Sequence, residues 1–273
     1  MDKYQLFQQL HLRTGAFVIP NPWDAGSARI LAALGYEALA TSSAGLAFSI
    51  GQQDSAACIS REAILQNAQD IVNATNLPVS ADLENGFGPD PESCEKTISL
   101  AAKAGLVGGS IEDATGDPNN PIFDFNLAVE RIAAAVEESR KHPFMLTARA
   151  ENFLHGKHDL DDTILRLQAF EKAGADVLYA PGLPDIAAIR TVCASVTRPV
   201  NVVMGLSGPT YSVSELEQAG VKRISVGGSF ARAALGGLMR AAREVKDHGT
   251  FTYAKDALSS SDAEKYIFTP PKN

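Results

Sequence analysis

The chain has 273 residues, 45% of them apolar and 21% charged, with a formal net charge of −8. That balance suits one soluble domain with a large core, and the acidic surplus offers no basic field for a nucleic-acid backbone or an anionic membrane surface. No apolar run approaches the roughly 18 residues of a membrane span. The three cysteines, Cys58, Cys94 and Cys193, are too scattered for a disulfide framework or a C-x-x-C metal pair. All three are expected in helices as packing residues, and a reducing cytoplasm is the expected compartment.

In chain order, MDKYQLFQQLHLRTG reads as an amphipathic helix. A weak repeat follows: LAALGYEALATS, AAKAGLVGGSIED, FEKAGADVLYAPG and LEQAGVKRISVGG. Each ends a helix, places a glycine (Gly35, Gly105, Gly174, Gly220) and opens a short apolar run. Glycine just past a helix end suits the left-handed conformation that satisfies the last carbonyls. An apolar run with no polar alternation suits a parallel strand covered on both faces. Filling in the same unit predicts strands near 16–20, 38–42, 78–82, 108–112, 144–149, 176–180, 199–204 and 223–227. Asp24, Ser60, Asp90-Pro91 and the Ser212/Glu215 capping box mark helix starts between them. Eight strand–helix alternations with no break in composition predict one α/β domain, a (β/α)8 TIM barrel over residues 1–250. Residues 251–273 read as a short C-terminal extension, disordered over its last few positions.

In such a barrel the chemistry sits at the C-terminal ends of the strands. Those ends carry Asn21 and Trp23, then Ser42, Ser43 and Ala44, then Asp82 and Glu84, Glu112 and Asp113, Arg149 and Glu151, and finally Asn201. No lysine stands there for a Schiff base and no histidine for an imidazole-bound zinc; His155 and His158 lie further along the loop after the fifth strand. Clustered carboxylates repel unless neutralised, and hard oxygen ligands suit Mg²⁺, with Mn²⁺ as the alternative, often through retained waters. Asp82 and Glu84 share a side if the third strand continues past Asp82. Consecutive amides at Ser42, Ser43 and Ala44 could hold a substrate carboxylate. Arg149 would oppose a carboxylate or a developing oxyanion. Glu151, Tyr211 and Asp113 are candidates for a general base by position alone.

The strings NPWDAGSARILAALGYEALATSSAGLAFSIGQQD, VSADLENGFG, GGSIEDATGD, LTARAENF and GADVLYAPG together resemble the isocitrate lyase/phosphoenolpyruvate mutase superfamily over about residues 14–247. The resemblance implies Mg²⁺-associated acids at Asp54, Asp82, Glu84 and Glu112, and catalytic roles for Arg149, Glu112 and Asp54. It implies substrate contacts at Trp23, Ser42, Ser43, Ala44 and Asn201. The implied partner is a small α-keto carboxylate, handled through an enolate in cleavage of an adjacent C–C bond. A homodimer or homotetramer that exchanges the eighth barrel helix, about 229–247, is also implied. The loop after the fourth strand, EDATGDPNNPIFD, lacks the K-K/R-C-G-H sequence of the C–C lyases, and Ala114 replaces the lysine of the phosphonate enzymes' E-D-K. The family's two main chemistries thus both lack a loop residue here. A lyase or decarboxylase is the first expectation; P–C bond chemistry and a non-catalytic α-keto acid-binding protein are the alternatives.

Overall fold

The computed structural model describes residues 1–54 and 58–268. Its strands are β1 (Phe17–Ile19), β2 (Leu39–Ala40), β3 (Val79–Asp82), β4 (Gly108–Glu112), β5 (Met145–Arg149), β6 (Val177–Tyr179), β7 (Val200–Val203) and β8 (Arg223–Ser225). Each lies within its expected span. They pair in parallel in the order β1-β8-β7-β6-β5-β4-β3-β2. The Ala40 amide donates to the Pro20 carbonyl at 3.0 Å, joining the two ends of the sheet into a nearly closed barrel. The expected (β/α)8 architecture is therefore present.

Around the strands run α1 (Lys3–Leu12), α2 (Ala25–Ala33), α3 (Ser43–Ser49), α4 (Arg61–Ala74), α5 (Pro91–Lys103), α6 (Phe125–Ser139), α7 (Leu160–Ala173), α8 (Ile186–Ser195), α9 (Val213–Gln218), α10 (Ser229–His248) and α11 (Ser260–Phe268). Asp24, Ser60, Asp90 and Ser212 each accept a first-turn amide as N-caps. The four repeat glycines all hold positive φ, between 88° and 107°, which a side chain would strain. One expectation, that all three cysteines lie in helices, needs correction, and two features add to what was expected. The segment after β2 is the short helix α3, because Ser42 caps it through the Gly45 amide. Cys58 is exposed in a bend before α4, outside any helix, whereas Cys94 and Cys193 lie on α5 and α8. The extension folds back: α11 packs on α2, and Arg29 donates to the Ile267 carbonyl at 3.0 Å. Residues 269–273, expected to be disordered, lie outside the described residues.

The core is layered as strand burial demands. Apolar side chains of the strands' outer faces meet α2 and α4–α9 in one large cluster. A second cluster closes the N-terminal end of the barrel, where Phe7 and Leu10 of α1 pack against Phe17, Ile19, Val107, Met145 and Val177. Gly108 is small for this reason: a Cβ there would stand 3.0 Å from the Phe7 ring and 3.0 Å from the Met145 carbonyl. His11, one turn after Phe7, is buried edge-on between the Phe7 and Phe17 rings and shares a 2.8 Å hydrogen bond with the Phe7 carbonyl. α10 differs from its neighbours. Among its residues only Ala231 is buried, while Leu235, Leu238 and Met239 are exposed. Among the described residues, no helix is long and apolar enough to cross a membrane.

Two outcomes follow from the α1 plug. Phe7→Ala removes a fully buried ring and should cost about 3–5 kcal/mol of unfolding free energy, read by denaturant titration. Burial, and then the Arg223 charge, push the His11 imidazole down to about 3. The unfolded chain therefore takes up a proton near the ordinary value of about 6.5 that the folded chain refuses. Stability conferred by neutral His11 is complete above about pH 6.5 and falls as pH drops below it, by up to about 1.4 kcal/mol per pH unit. His11→Gln should flatten that slope between pH 6.5 and 4.5; parallel profiles for the two proteins would show that His11 is not its source.

Candidate active site

The C-terminal mouth of the barrel is organised by Arg149, the last residue of β5. Parallel register places it beside Glu112 on β4 and Tyr179 on β6. Its Nη1 reaches Asp82 at 3.0 Å and Glu112 at 3.1 Å, and its Nη2 reaches Glu151 at 2.8 Å. The guanidinium also lies over the Tyr179 ring, 5.1 Å from its centroid. Burial works against this charge. Glu112, Glu151, Asp82 and Tyr179 together outweigh it and hold the Arg149 pKa well above the ordinary value. Glu112 shows the other side of the balance. Burial, opposed by Arg149 and reinforced by Glu151, Asp82 and Glu84, raises its carboxyl well above the usual range.

Asp82, at the end of β3, is bound on both oxygens: Oδ1 to Arg149, and Oδ2 to the Ser43 hydroxyl at 3.0 Å. The Ser43 hydroxyl also lies 3.5 Å from the Asp54 carboxylate, so its one proton can serve either acid. Loss of surrounding water, and then the Asp82 charge, raise the Asp54 carboxyl. Strand β3 stops at Asp82, so strand alternation is not what brings Glu84 to the site. Instead Glu84 takes φ +48°, followed by Gly86 at +80° and Phe87 at +61°. Left-handed backbone is uncommon outside glycine and is retained where the surroundings impose it. Here Arg131 of α6 donates to the carbonyls of Asn85 and Gly88, and Arg61 to those of Gly86 and Phe87. Two buried or half-buried arginines thus fasten the turn that carries Glu84.

Two connected spaces meet at the Arg149–Asp82 pair. One, of about 460 Å³, runs into the barrel and is bordered by Ser42, Ser43, Ala44, Asp54, Asp82, Arg149 and Asn201. The other, of about 440 Å³, lies toward the loop after β4 and is bordered by Asp54, Asp82, Glu84, Glu112, Glu151 and His155. Ser42 uses its hydroxyl to cap the Gly45 amide, and Ser43 and Ala44, whose first-turn amides have no intrahelical partners, border the inner space. The site residues expected from sequence therefore gather here, except Trp23. Trp23 borders neither space; its Cβ packs so close to Gly45 that a methyl there would stand at 2.9 Å. Asn201 borders the inner space with both amide atoms engaged, accepting from Arg223 and donating to Ser225. Of the candidate bases, Tyr211 is remote, its hydroxyl accepting the Ile186 amide; Asp113 is buried on Arg166, and Glu151 on Arg149. His155, Tyr179 and Arg223 are bordering residues that strand-end reasoning passed over. The first lies in the loop after β5, while Tyr179 ends β6 beside Arg149 and Arg223 opens β8, below the strand end.

Among the described residues no three histidine, cysteine or acidic side chains converge tightly enough to enclose a metal by themselves. The donor set still fits Mg²⁺, which retains several waters and needs only one or two carboxylates from the protein. Asp82 would be the direct ligand, with Asp54, Glu84 and Glu112 around the same space reached through water. The loop from Asp113 to Asp124 closes the outer side. It is pinned at its base, where the Phe123 amide donates to the Asp113 carbonyl and Arg166 donates to both Asp113 and the Phe123 carbonyl. Its Ala114 is paired with Ile122, and the described loop brings no lysine, cysteine or histidine to the site.

Residues 7–246 match the family model described as phosphoenolpyruvate phosphomutase. The chain is 30% identical over 246 residues to an uncharacterised protein of Mycobacterium tuberculosis, covering 88% of this chain and 89% of that one. It is 29% identical over 207 residues to 2-methylisocitrate lyase of Escherichia coli, covering 72% and 69%. Among solved structures, one described as a "putative lyase/mutase" of Burkholderia cenocepacia superposes with a TM-score of 0.95 at 57% identity, covering 98% of this chain and 96% of that one. A 2,3-dimethylmalate lyase superposes with a TM-score of 0.86 at 25% identity, covering 98% and 95%.

Proposed function

Because the chain belongs to the phosphoenolpyruvate phosphomutase family, within the isocitrate lyase/phosphoenolpyruvate mutase superfamily, we propose that it is a Mg²⁺-dependent lyase or decarboxylase. Its substrate would be a small α-keto carboxylate, cleaved at an adjacent C–C bond through an enolate. The observation that carries this reading is the buried Arg149, held charged among Asp82, Glu112 and Glu151 at the junction of two cavities. Such a cation can oppose negative charge that appears on the keto oxygen as the bond breaks, and its attachment to fixed carboxylates means little reorganisation is needed. The Ser43 and Ala44 amides are suited to the substrate carboxylate. When bound at Asp82, the metal would supply Lewis-acid polarisation of the same keto oxygen. Burial raises the Glu112 carboxyl well above the usual range, and loss of water raises Asp54, so a divalent cation beside them would offset part of that cost.

Ala114, buried against Ile122, replaces the lysine of the phosphonate enzymes while the loop also lacks the K-K/R-C-G-H sequence of the C–C lyases, so C–C chemistry is favoured by the likeness to 2-methylisocitrate lyase of Escherichia coli and to 2,3-dimethylmalate lyase. His155 borders the outer space beside Glu151. The exposed Leu235, Leu238 and Met239 of α10 suit a helix exchanged between two copies in a homodimer or homotetramer.

Calorimetry with oxalate or pyruvate, with Mg²⁺ and with EDTA, tests the site. Binding should require the metal, disappear in Asp82→Ala and weaken at least tenfold in Arg149→Ala. Equal binding by Asp82→Ala would remove the metal assignment. Turnover of oxaloacetate or dimethylmalate that survives Arg149→Ala intact would remove the arginine from the reaction.

A further inference from the structure

The floor of the inner cavity holds a second arginine that the reaction above does not use. Arg223 opens β8 and points into the barrel, only 6% exposed. Its Nε donates to Asn201 Oδ1 at 2.8 Å and one Nη2 proton to Thr147 Oγ1 at 2.9 Å. Its Nη1 is buried with no hydrogen-bond partner, and no carboxylate pairs with it among the described residues. Burial lowers its pKa only to about 10, so it remains a cation at neutral pH. The side chain beneath it, His11, is held neutral and supplies no counter-charge.

An unpaired buried guanidinium is costly, and proteins seldom retain one without an anion. Part of the space beside it is bordered by small side chains, Ala40, Ser80 and Ser110 on β2, β3 and β4. Thr147, which receives Arg223, lies two residues before Arg149 on the same strand. At about 3.3 Å of rise per residue, Thr147 and Arg149 stand roughly 7 Å apart along that strand. The space therefore carries Arg149 at its mouth, matched by acids, and Arg223 at its floor, matched by none; Arg232 of α10 also borders it and donates to the Leu206 carbonyl.

We propose that Arg223 is the binding residue for a second carboxylate of the substrate, making the ligand a short 2-oxo dicarboxylate that enters the barrel with its distal carboxylate first. Asn201 is then a positioning residue, fixing the guanidinium through Nε while tied to Ser225. This rests on the α-keto acid reading of the mouth and adds to it the character of the ligand's far end. It differs from an interior water bridging the floor, which would be indifferent to ligand charge.

The test compares pyruvate, oxaloacetate and 2-oxosuccinamate, the uncharged C4 amide of oxaloacetate, by calorimetry with Mg²⁺ at neutral pH. The wild type should bind oxaloacetate roughly ten- to a hundredfold more tightly than the amide, the scale of a charge-assisted hydrogen bond. Arg223→Gln should bring that ratio to about one while leaving pyruvate affinity within about twofold, and Arg223→Lys should keep most of it. If Arg223→Gln fails to fold, Arg223→Met carries the same comparison. Normal pyruvate binding with no preference for the dicarboxylate, or a preference that persists in Arg223→Gln, overturns this assignment and leaves the α-keto acid site standing. Absence of pyruvate and oxalate binding in the wild type overturns both.

Discussion

Everything at the mouth of this barrel depends on keeping one guanidinium charged where water is scarce. Arg149 would be expensive at that depth alone, and so would Glu112 and Glu151. Together they form a set in which each charge offsets another's desolvation. The balance is uneven: Arg149 is held firmly protonated, while Glu112 is left with a raised pKa. A site of this kind is poised for additional charge. A divalent cation would relieve the acids, and an anionic ligand would use the arginine, so each should favour the other.

The scaffold supplies rigidity from outside the site. Arg131 and Arg61 hold the left-handed turn that delivers Glu84, and Arg166 pins both ends of the loop after β4. These arginines bond mainly to carbonyls or to acids away from the cavity, so their work is to fix backbone. At the opposite end α1 seals the barrel with Phe7 and His11, which leaves the C-terminal mouth as the entrance to the interior. The interior itself is not filled by large side chains. Ala40, Ser80 and Ser110 leave room, and the buried Arg223 gives that room a charge.

The barrel could be read from the sequence because its signals are local. Helix-terminal glycines, N-caps and short apolar strands depend on neighbours a few residues away, and all eight strands fall where those signals place them. The strand-end acids and Arg149 were legible for the same reason, since the fold sends strand ends to one face. Where the reading strayed, a long-range contact had intervened. Glu84 arrives by a turn held by α4 and α6. Trp23 has its Cβ against Gly45 and borders neither cavity, and the extension after α10 packs on α2.

By itself, then, the sequence determined the class of fold, the end of the barrel that carries the chemistry and the kind of charge gathered there. Periodicity, capping and the direction of parallel strands are all written within short stretches of chain. Only the tertiary structure decided which charges touch. Arg149 takes its partners from β3, β4 and the loop after β5. Arg223 is left with none, and Ala40, Ser80 and Ser110, which border the same space, are small and uncharged. A charge's partner is a matter of distance in space, and in a closed barrel residues far apart in the chain face each other across a few ångströms.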